Sequence, residues 1–378
     1  MEKEEALVVG HICLDIIPEL RDTVVFEPGH LVEAGPATLS TGGAVSNTGV
    51  SLSRLGVKTR LLGKIGPGIF GRAIFELLEG SAPDALHSMT IEESENTSYT
   101  VVISLTGKDR MFLHSPGANR SFGSADVTDE MLEKARLMHL GYPPLLERMF
   151  ADDGRELVEL FRRAKEAGVT TSLDMSLPDS EAPSGKANWE LILSQVLPYV
   201  DFFLPSVEEL LYMLERRIFE NLKGAVYGQL PEKIVEKVAK RTLDMGARNF
   251  GVKVGTRGFY LHVGDCDPSA GRGRPAWEKY RGLEVWHPCF KVKVEGTTGA
   301  GDATIAGFLK GMLQGFDPAG ACQAAVAAGA FCCERPDAVS GVKPWPQIKA
   351  RIDAGWATLP LELDEPWEKR GLAYFRQT

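Results

Sequence analysis

The chain reads as an α/β protein: a three-layer α/β/α sandwich with a mostly parallel central sheet and a small β-strand lid. Three observations predict this. From residue 135 onward, apolar stretches of strand length alternate with helical ones, which is the rhythm of a parallel sheet covered on both faces. Two earlier stretches, about 18–40 and 97–116, look like hairpins, which do not fit a parallel sheet and are set apart as the lid. The 40 glycines among 378 residues exceed the usual ~7%, as ligand-binding loops with close backbone approaches require.

Taken in order, residues 6–17 (ALVVGHICLDII) are β-rich and open the fold. Residues 23–40 alternate weakly around Pro28-Gly29 and read as a short hairpin. Residues 46–55 have helical spacing, 59–65 read as a strand and 71–78 as a helix. Residues 97–105 and 110–114 are strands around the turn Thr106-Gly107-Lys108-Asp109. Strands are then expected at 135–141, 169–174, 200–204 and 249–254, and helices at 154–167, 189–197, 207–214 and 231–245. Residues 265–288, rich in Gly, Arg and Pro, break the rhythm and read as an insertion. The main domain covers 1–345. Residues 346–378 form an extension whose Trp356 and Trp367, with Trp345 just before it, favour packing on the body.

Composition narrows the function. The net charge of −9 argues against a nucleic-acid partner, which would want a basic face. No apolar run reaches the ~18 residues of a membrane span; the uncharged stretch 318–333 reads as a buried helix. The acidic start, Met1-Glu2-Lys3-Glu4-Glu5, lacks the layout of a signal peptide. The six cysteines (13, 266, 289, 322, 332 and 333) form no Cys-x-x-Cys pair, and the seven histidines show no zinc spacing. They read as reduced thiols of a cytoplasmic protein.

The strongest motif is Gly296-Thr297-Thr298-Gly299-Ala300-Gly301-Asp302, which feeds a helix. Its unpartnered N–H groups and the helix dipole make an anion site suited to phosphate. Asp302 at the helix start is either an N-cap or a base that takes a proton from an attacking hydroxyl beside that anion site. A second glycine motif, Gly66-Pro67-Gly68-Ile69-Phe70-Gly71, fits the dinucleotide fingerprint. Pro67 stiffens its turn, and the nicotinamide reading is set aside. No Walker A sequence occurs.

At this point the chain resembles the ribokinase-like (PfkB) family of carbohydrate kinases. GTTGAGDATIAGF looks like the family's C-terminal signature. Gly42-Gly43-Ala44-Val45-Ser46-Asn47, continuing to Gly63 and Gly66, looks like its N-terminal one. The resemblance implies an ATP- and Mg²⁺-dependent transfer to a primary hydroxyl of a small sugar. It implies Asp302 as the general base and the backbone of Gly299, Ala300 and Gly301 as the anion hole. Asp15, Gly42, Gly43, Asn47 and Asn119 match substrate-side positions. Lys253, Gly255, Thr256, Gly258 and Thr298 match the nucleotide side. Glu209, in Ser206-Val207-Glu208-Glu209, matches the residue that helps arrange Mg²⁺ and its waters. Family members often pair through their lids, so a homodimer is expected.

The chain also departs from the pattern. Gly296 stands where the family has an Asp tied to a monovalent cation, so the resemblance leaves that ion open. Ser206 replaces an Asn, Asp174-Met175-Ser176-Leu177-Pro178 lacks the usual Asn and Arg, and Tyr142 follows Leu140-Gly141 where ribose-specific members place a Glu. Two alternatives stay open: a nucleoside kinase of the same fold, with Phe26, Tyr99 or Phe112 against the base, and a catalytically silent sugar- or nucleotide-binding regulator. A phosphosugar kinase would need Lys108, Arg110 or Arg120 at the lid. Arg272 and Arg274 read as a solvated basic loop.

Overall fold

The computed structural model describes residues 4–20, 24, 27–104, 111–222, 230–264, 271–364 and 366–377. Eleven described strands form one sheet. Its order is Glu368–Arg370, Ala373–Gln377, Leu283–His287, Phe259–Val263, Asn249–Lys253, Phe202–Phe203, Thr170–Leu173, Ala135–Gly141, Glu4–Gly10, Thr59–Leu62, Leu86–His87. The seven from Asn249–Lys253 to Leu86–His87 run parallel, and the other four add antiparallel at one edge. Parallel strands buried on both faces are mostly apolar along their length. Ala6 and Val8 accordingly enter one core, with Leu61, Phe202 and Leu261. Leu7 and Val9 enter the other, with Met138, Phe203 and Val252. These two cores are the interfaces of a three-layer sandwich.

On the first face lie helices Ala300–Leu313 and Pro318–Cys333, buried along nearly their whole length. Asp317 caps the second by accepting from Gly320 N at 2.7 Å, and Pro318 occupies its first turn. A Cβ at Gly307 would lie 2.3 Å from Ala324 O, so that glycine sets how closely the two helices approach. Helix Ala44–Arg54 joins this face. Helices Arg155–Glu166, Trp189–Val196, Val207–Leu214 and Glu232–Asp244 cover the other.

A second sheet of four described strands has the order Ala37–Gly42, Cys13–Pro18, Tyr99–Ile103, Met111–Ser115. Asp15 pairs with Ser40 antiparallel, Leu14 with Tyr99 parallel, and Tyr99 with Ser115 antiparallel.

Several local expectations are corrected. Residues 6–17 are two strands in two sheets, because the chain leaves the main sheet at Gly10 and enters the small one at Cys13. Among the described residues of 23–40 the strand, Ala37–Gly42, pairs with Cys13–Pro18 and not within the stretch. Residues 283–287, read as part of an insertion, are a main-sheet strand whose Val285 and Trp286 are fully buried. The turn 106–109 lies outside the described residues. The extension contributes helix Trp345–Asp353 and two sheet strands, with Trp286 opposite Tyr374. Among the described residues no helix is long and apolar enough to cross a membrane.

Candidate active site

The parallel strands end at one edge, where open α/β sheets hold ligands. His11 follows the strand ending at Gly10, Tyr142 the one ending at Gly141, Asp174 the one ending at Leu173, and Lys253 closes its own strand. A cavity of about 630 Å³ opens there. One wall is apolar, with Phe290, Val292, Val326, Ala330 and Leu359. The opposite side carries Tyr142, Asp174, Glu209, Lys253, Gly299, Ala300, Gly301 and Asp302.

Asp302 is 4% exposed. It does not cap its helix; Gly299, with φ 71°, occupies the N-cap position without a side-chain bond. The carboxylate instead accepts three donors. Asn47 Nδ2 lies 3.1 Å from Oδ2, Thr48 Oγ1 3.2 Å from Oδ1, and the Tyr142 hydroxyl 2.8 Å from each oxygen. Burial raises its pKa, while Lys253 and the three donors pull it back.

Lys253 Nζ lies 2.7 Å from Asp174 Oδ1. Burial opposes its charge, but Asp174, Glu209 and Asp302 together hold its pKa above the ordinary value. Burial raises Asp174 and Glu209, and the neighbouring carboxylates add to the effect. Glu209 closes a reciprocal cap: Ser206 N donates to its Oε2 at 2.7 Å and its own N donates to Ser206 Oγ at 3.3 Å. Gly255, Thr256 and Gly258 line the cavity. Gly258, at φ 96°, is required there because a Cβ would lie 2.0 Å from His287 O.

Asp15, Gly42 and Gly43 sit beyond the cavity lining, on the lid side. A Cβ at Gly42 would lie 2.4 Å from Asp15 Oδ2. Burial raises the Asp15 carboxyl to about 6 against bonds from Cys13 and Thr100. His11 and His114 lie nearby with ring centroids 5.3 Å apart and planes tilted by 50°, and Thr100 Oγ1 lies 3.0 Å from His114 Nδ1.

Three expected site residues make contacts within the protein. Asn119 is fully buried, and its amide is spent on Ile12, accepting from its N at 3.3 Å and donating to its O at 2.8 Å. It clamps the crossover between the sheets. Asn47 donates to Asp302 through Nδ2, while its Oδ1 is buried without a partner. Thr298 does not line the cavity; its carbonyl accepts from Cys332 Sγ at 3.3 Å. Arg272 is no solvated loop residue: it donates to the carbonyls of Leu132, Ala135 and Ala167. Arg274 pairs with Glu278. Of the lid candidates, Tyr99 packs edge-on against Phe70, Phe112 is 59% exposed and Arg120 pairs with Glu147. Phe26, Lys108 and Arg110 lie outside the described residues. At Gly296 a Cβ would lie 2.8 Å from Pro336 Cα and 2.9 Å from Arg335 O, so this backbone admits no side chain. Gly66 likewise abuts Glu95 O, at 2.1 Å from its Cβ position. Gly66 and Gly71, whose Cβ would lie 2.3 Å from Gly66 O, thus serve loop packing, while Gly68 has open space around it.

Sequence reasoning missed Thr48 and Tyr142 as partners of Asp302. Thr48 carried one usable signal, its place next to Asn47 on the same helix turn. Tyr142 carried none.

Comparison with known proteins agrees with this fold. An uncharacterized sugar kinase of Archaeoglobus fulgidus is 26% identical over 263 residues, 69% of this chain and 86% of that protein. Fructokinase-1 of Oryza sativa subsp. japonica is 25% identical over 307 residues, 81% of this chain and 82% of its own. The structure of Arabidopsis thaliana ribokinase complexed with ribose and ATP superposes over 93% of this chain and 98% of that one, with a TM-score of 0.69 at 18% identity. Residues 3–345 match the profile of the pfkB family carbohydrate kinases, and the chain belongs to that family of sugar kinases.

Proposed function

We propose that the protein transfers the terminal phosphoryl group of ATP to a primary hydroxyl of a small sugar, with Asp302 as the general base. The observation that carries this reading is the Asp302 carboxylate, buried, held by three donors and opening into the same cavity as the N-terminus of its helix.

ATP fits the cavity. Its base has the apolar wall of Phe290, Val326 and Leu359, and its phosphates have the N–H groups of Gly299 and Gly301 together with Lys253; Ala300 N, beside them, donates to Thr297 O at 3.3 Å. Gly255, Thr256 and Gly258 form the nucleotide-side loop; Thr298 supports the anion loop from behind. Mg²⁺ also fits: three carboxylates face one lysine, and Asp174 Oδ2 is buried without a partner. Among the described residues no side-chain cluster forms a metal cage, as suits an ion that relies on phosphates, waters and one or two carboxylates. Glu209 and Asp174 would hold it, and when bound it neutralises charge on the transferring phosphate.

Asp15, Gly42 and Gly43 place the sugar beneath the lid. Asp302 receives the proton of the attacking hydroxyl, and the helix N–H groups meet the charge that develops on the phosphoryl oxygens. Met111, Phe112 and Leu113 on the outer lid strand are each more than half exposed, which supports pairing of two copies through the lid.

The test is ADP release with Mg-ATP across neutral sugars, phosphosugars and nucleosides, with Asp302→Asn alongside. A base contributes roughly 10²–10⁴-fold, and a loss of that size on one substrate class is expected. An Asp302→Asn variant as active as the parent refutes the assignment. ATP binding without turnover of any class favours the silent regulator.

A further inference from the structure

Tyr142 has no part in the transfer as described, yet it makes the shortest hydrogen bonds to the base, 2.8 Å to Oδ1 and 2.8 Å to Oδ2. It reaches Asp302 through an unusual backbone. Its φ and ψ are 64° and 49°, left-handed for a non-glycine residue and restricted further by the following Pro143. Such a conformation persists only where the surroundings enforce it. Gly141 is part of that enforcement: a Cβ there would lie 2.1 Å from Ala44 Cβ, so the strand end presses directly on the helix that carries Asn47 and Thr48. The Tyr142 ring also faces His11, with centroids 6.1 Å apart, and lines the cavity.

A carboxylate offers about four lone-pair sites. Asn47 takes one on Oδ2 and Thr48 one on Oδ1. The single phenol proton takes a third, on either oxygen, and one site is left for an acceptor hydroxyl. We propose that Tyr142 is the positioning residue of the base: its hydroxyl fixes the plane of the Asp302 carboxylate, favours its charged form and leaves one site for the substrate. This rests on the reading of Asp302 as the base.

The electrostatics agree. Burial and the charges of Asp302 and Asp174 hold the Tyr142 phenol well above its ordinary pKa, so it donates and does not compete for the proton. Asp302 itself faces Lys253 on the cationic side, Asp174 and Glu209 on the anionic side, and the Cys332 thiol. Burial and the two carboxylates push it toward protonation; Lys253, Tyr142, Asn47 and Thr48 oppose that.

The experiment reads Asp302 directly, so it does not depend on knowing the sugar. Protein labelled with ¹³C at aspartate Cγ is titrated by NMR, with Asp302→Asn identifying the signal. Tyr142→Phe keeps the ring and the backbone conformation and removes only the hydroxyl. Its Asp302 titration is expected at higher pH than in the parent. With 3-fluorotyrosine placed at position 142, a stronger donor of the same shape, the titration is expected at lower pH. In turnover, Tyr142→Phe should lose roughly 10- to 100-fold at the acid end of the pH profile, the loss expected for a hydrogen bond to a charged group, and recover as pH rises with KM for ATP unchanged. Titrations that stay put in both variants overturn the positioning role and leave the base reading standing. Undiminished ADP release by Asp302→Asn overturns the base reading and this inference with it. Should Tyr142→Phe fail to fold, the fluorotyrosine arm decides alone.

Discussion

Replacing Lys253 by Met should convert the charge balance of the site into a measurable loss of stability. The Lys253 side chain is 13% exposed and that of Asp174 1%, with 2.7 Å between Nζ and Oδ1. Removing the cation strands a buried carboxylate whose Oδ2 already lacks a partner. Breaking a buried pair in this way costs about 3–5 kcal/mol. An unfolding entropy of about 2.1 cal/mol/K per residue gives about 0.8 kcal/mol/K for the chain, so Tm should fall by about 4–6 °C. The deficit must also depend on pH. Burial already raises Asp174, Lys253 pulls it down, and Glu209 and Asp302 push it up; without Lys253 it rises further. A carboxyl raised in the folded state binds more protons folded than unfolded, so its contribution is intact at low pH and is lost as pH rises through the folded value. Calorimetry without nucleotide and with EDTA, at pH 5 and pH 8, should therefore show the larger deficit at pH 8. Adding Asp174→Asn to Lys253→Met should restore most of the loss, because both buried charges are then gone. A Tm within about 1 °C of the parent at pH 8, or a deficit equal at both pH values, refutes the coupled-site account.

Two further outcomes follow from the same geometry. Asn119→Leu leaves Ile12 N and O buried without their partners, and urea unfolding should show a loss of about 2–4 kcal/mol with no selective change in KM for ATP. Leu359→Asp sets a carboxylate into the apolar wall beside Phe290 and should raise KM for ATP by about tenfold while leaving KM for the sugar unchanged, since desolvating that charge costs more than 1 kcal/mol.

Leu359 illustrates what lay beyond sequence reading. The three Trp of the last stretch indicated packing, but not where. In the structure Trp356 stacks on Phe290 at 4.5 Å and donates to Lys291 O, while Leu359 N donates to Cys289 O. The extension therefore supplies part of the cavity wall. Leu283–His287 was hidden for a related reason. Its neighbours are rich in Gly and Pro, and only pairing with Phe259–Val263 and Ala373–Gln377 makes it a strand. Residues 6–17 read as one strand because both halves are β-rich; the change of sheet between Gly10 and Cys13 depends on the Asn119 clamp, 107 residues away.

By itself the sequence determined the alternating layers, the glycine-rich entry to helix Ala300–Leu313 and the place of Asp302 in its first turn. These follow from local periodicity and from the unpaired N–H groups that every helix start exposes. Only the tertiary structure decided what Asp302 touches. Its donors come from residues 47, 48 and 142, brought together at the ends of separate strands and helices. The role of Tyr142 depends further on a left-handed backbone that no local preference selects. Side-chain chemistry is written residue by residue, whereas distances between residues far apart in the chain are set by packing of the whole, and the hydrogen bonds that hold this carboxylate exist only after that packing is complete.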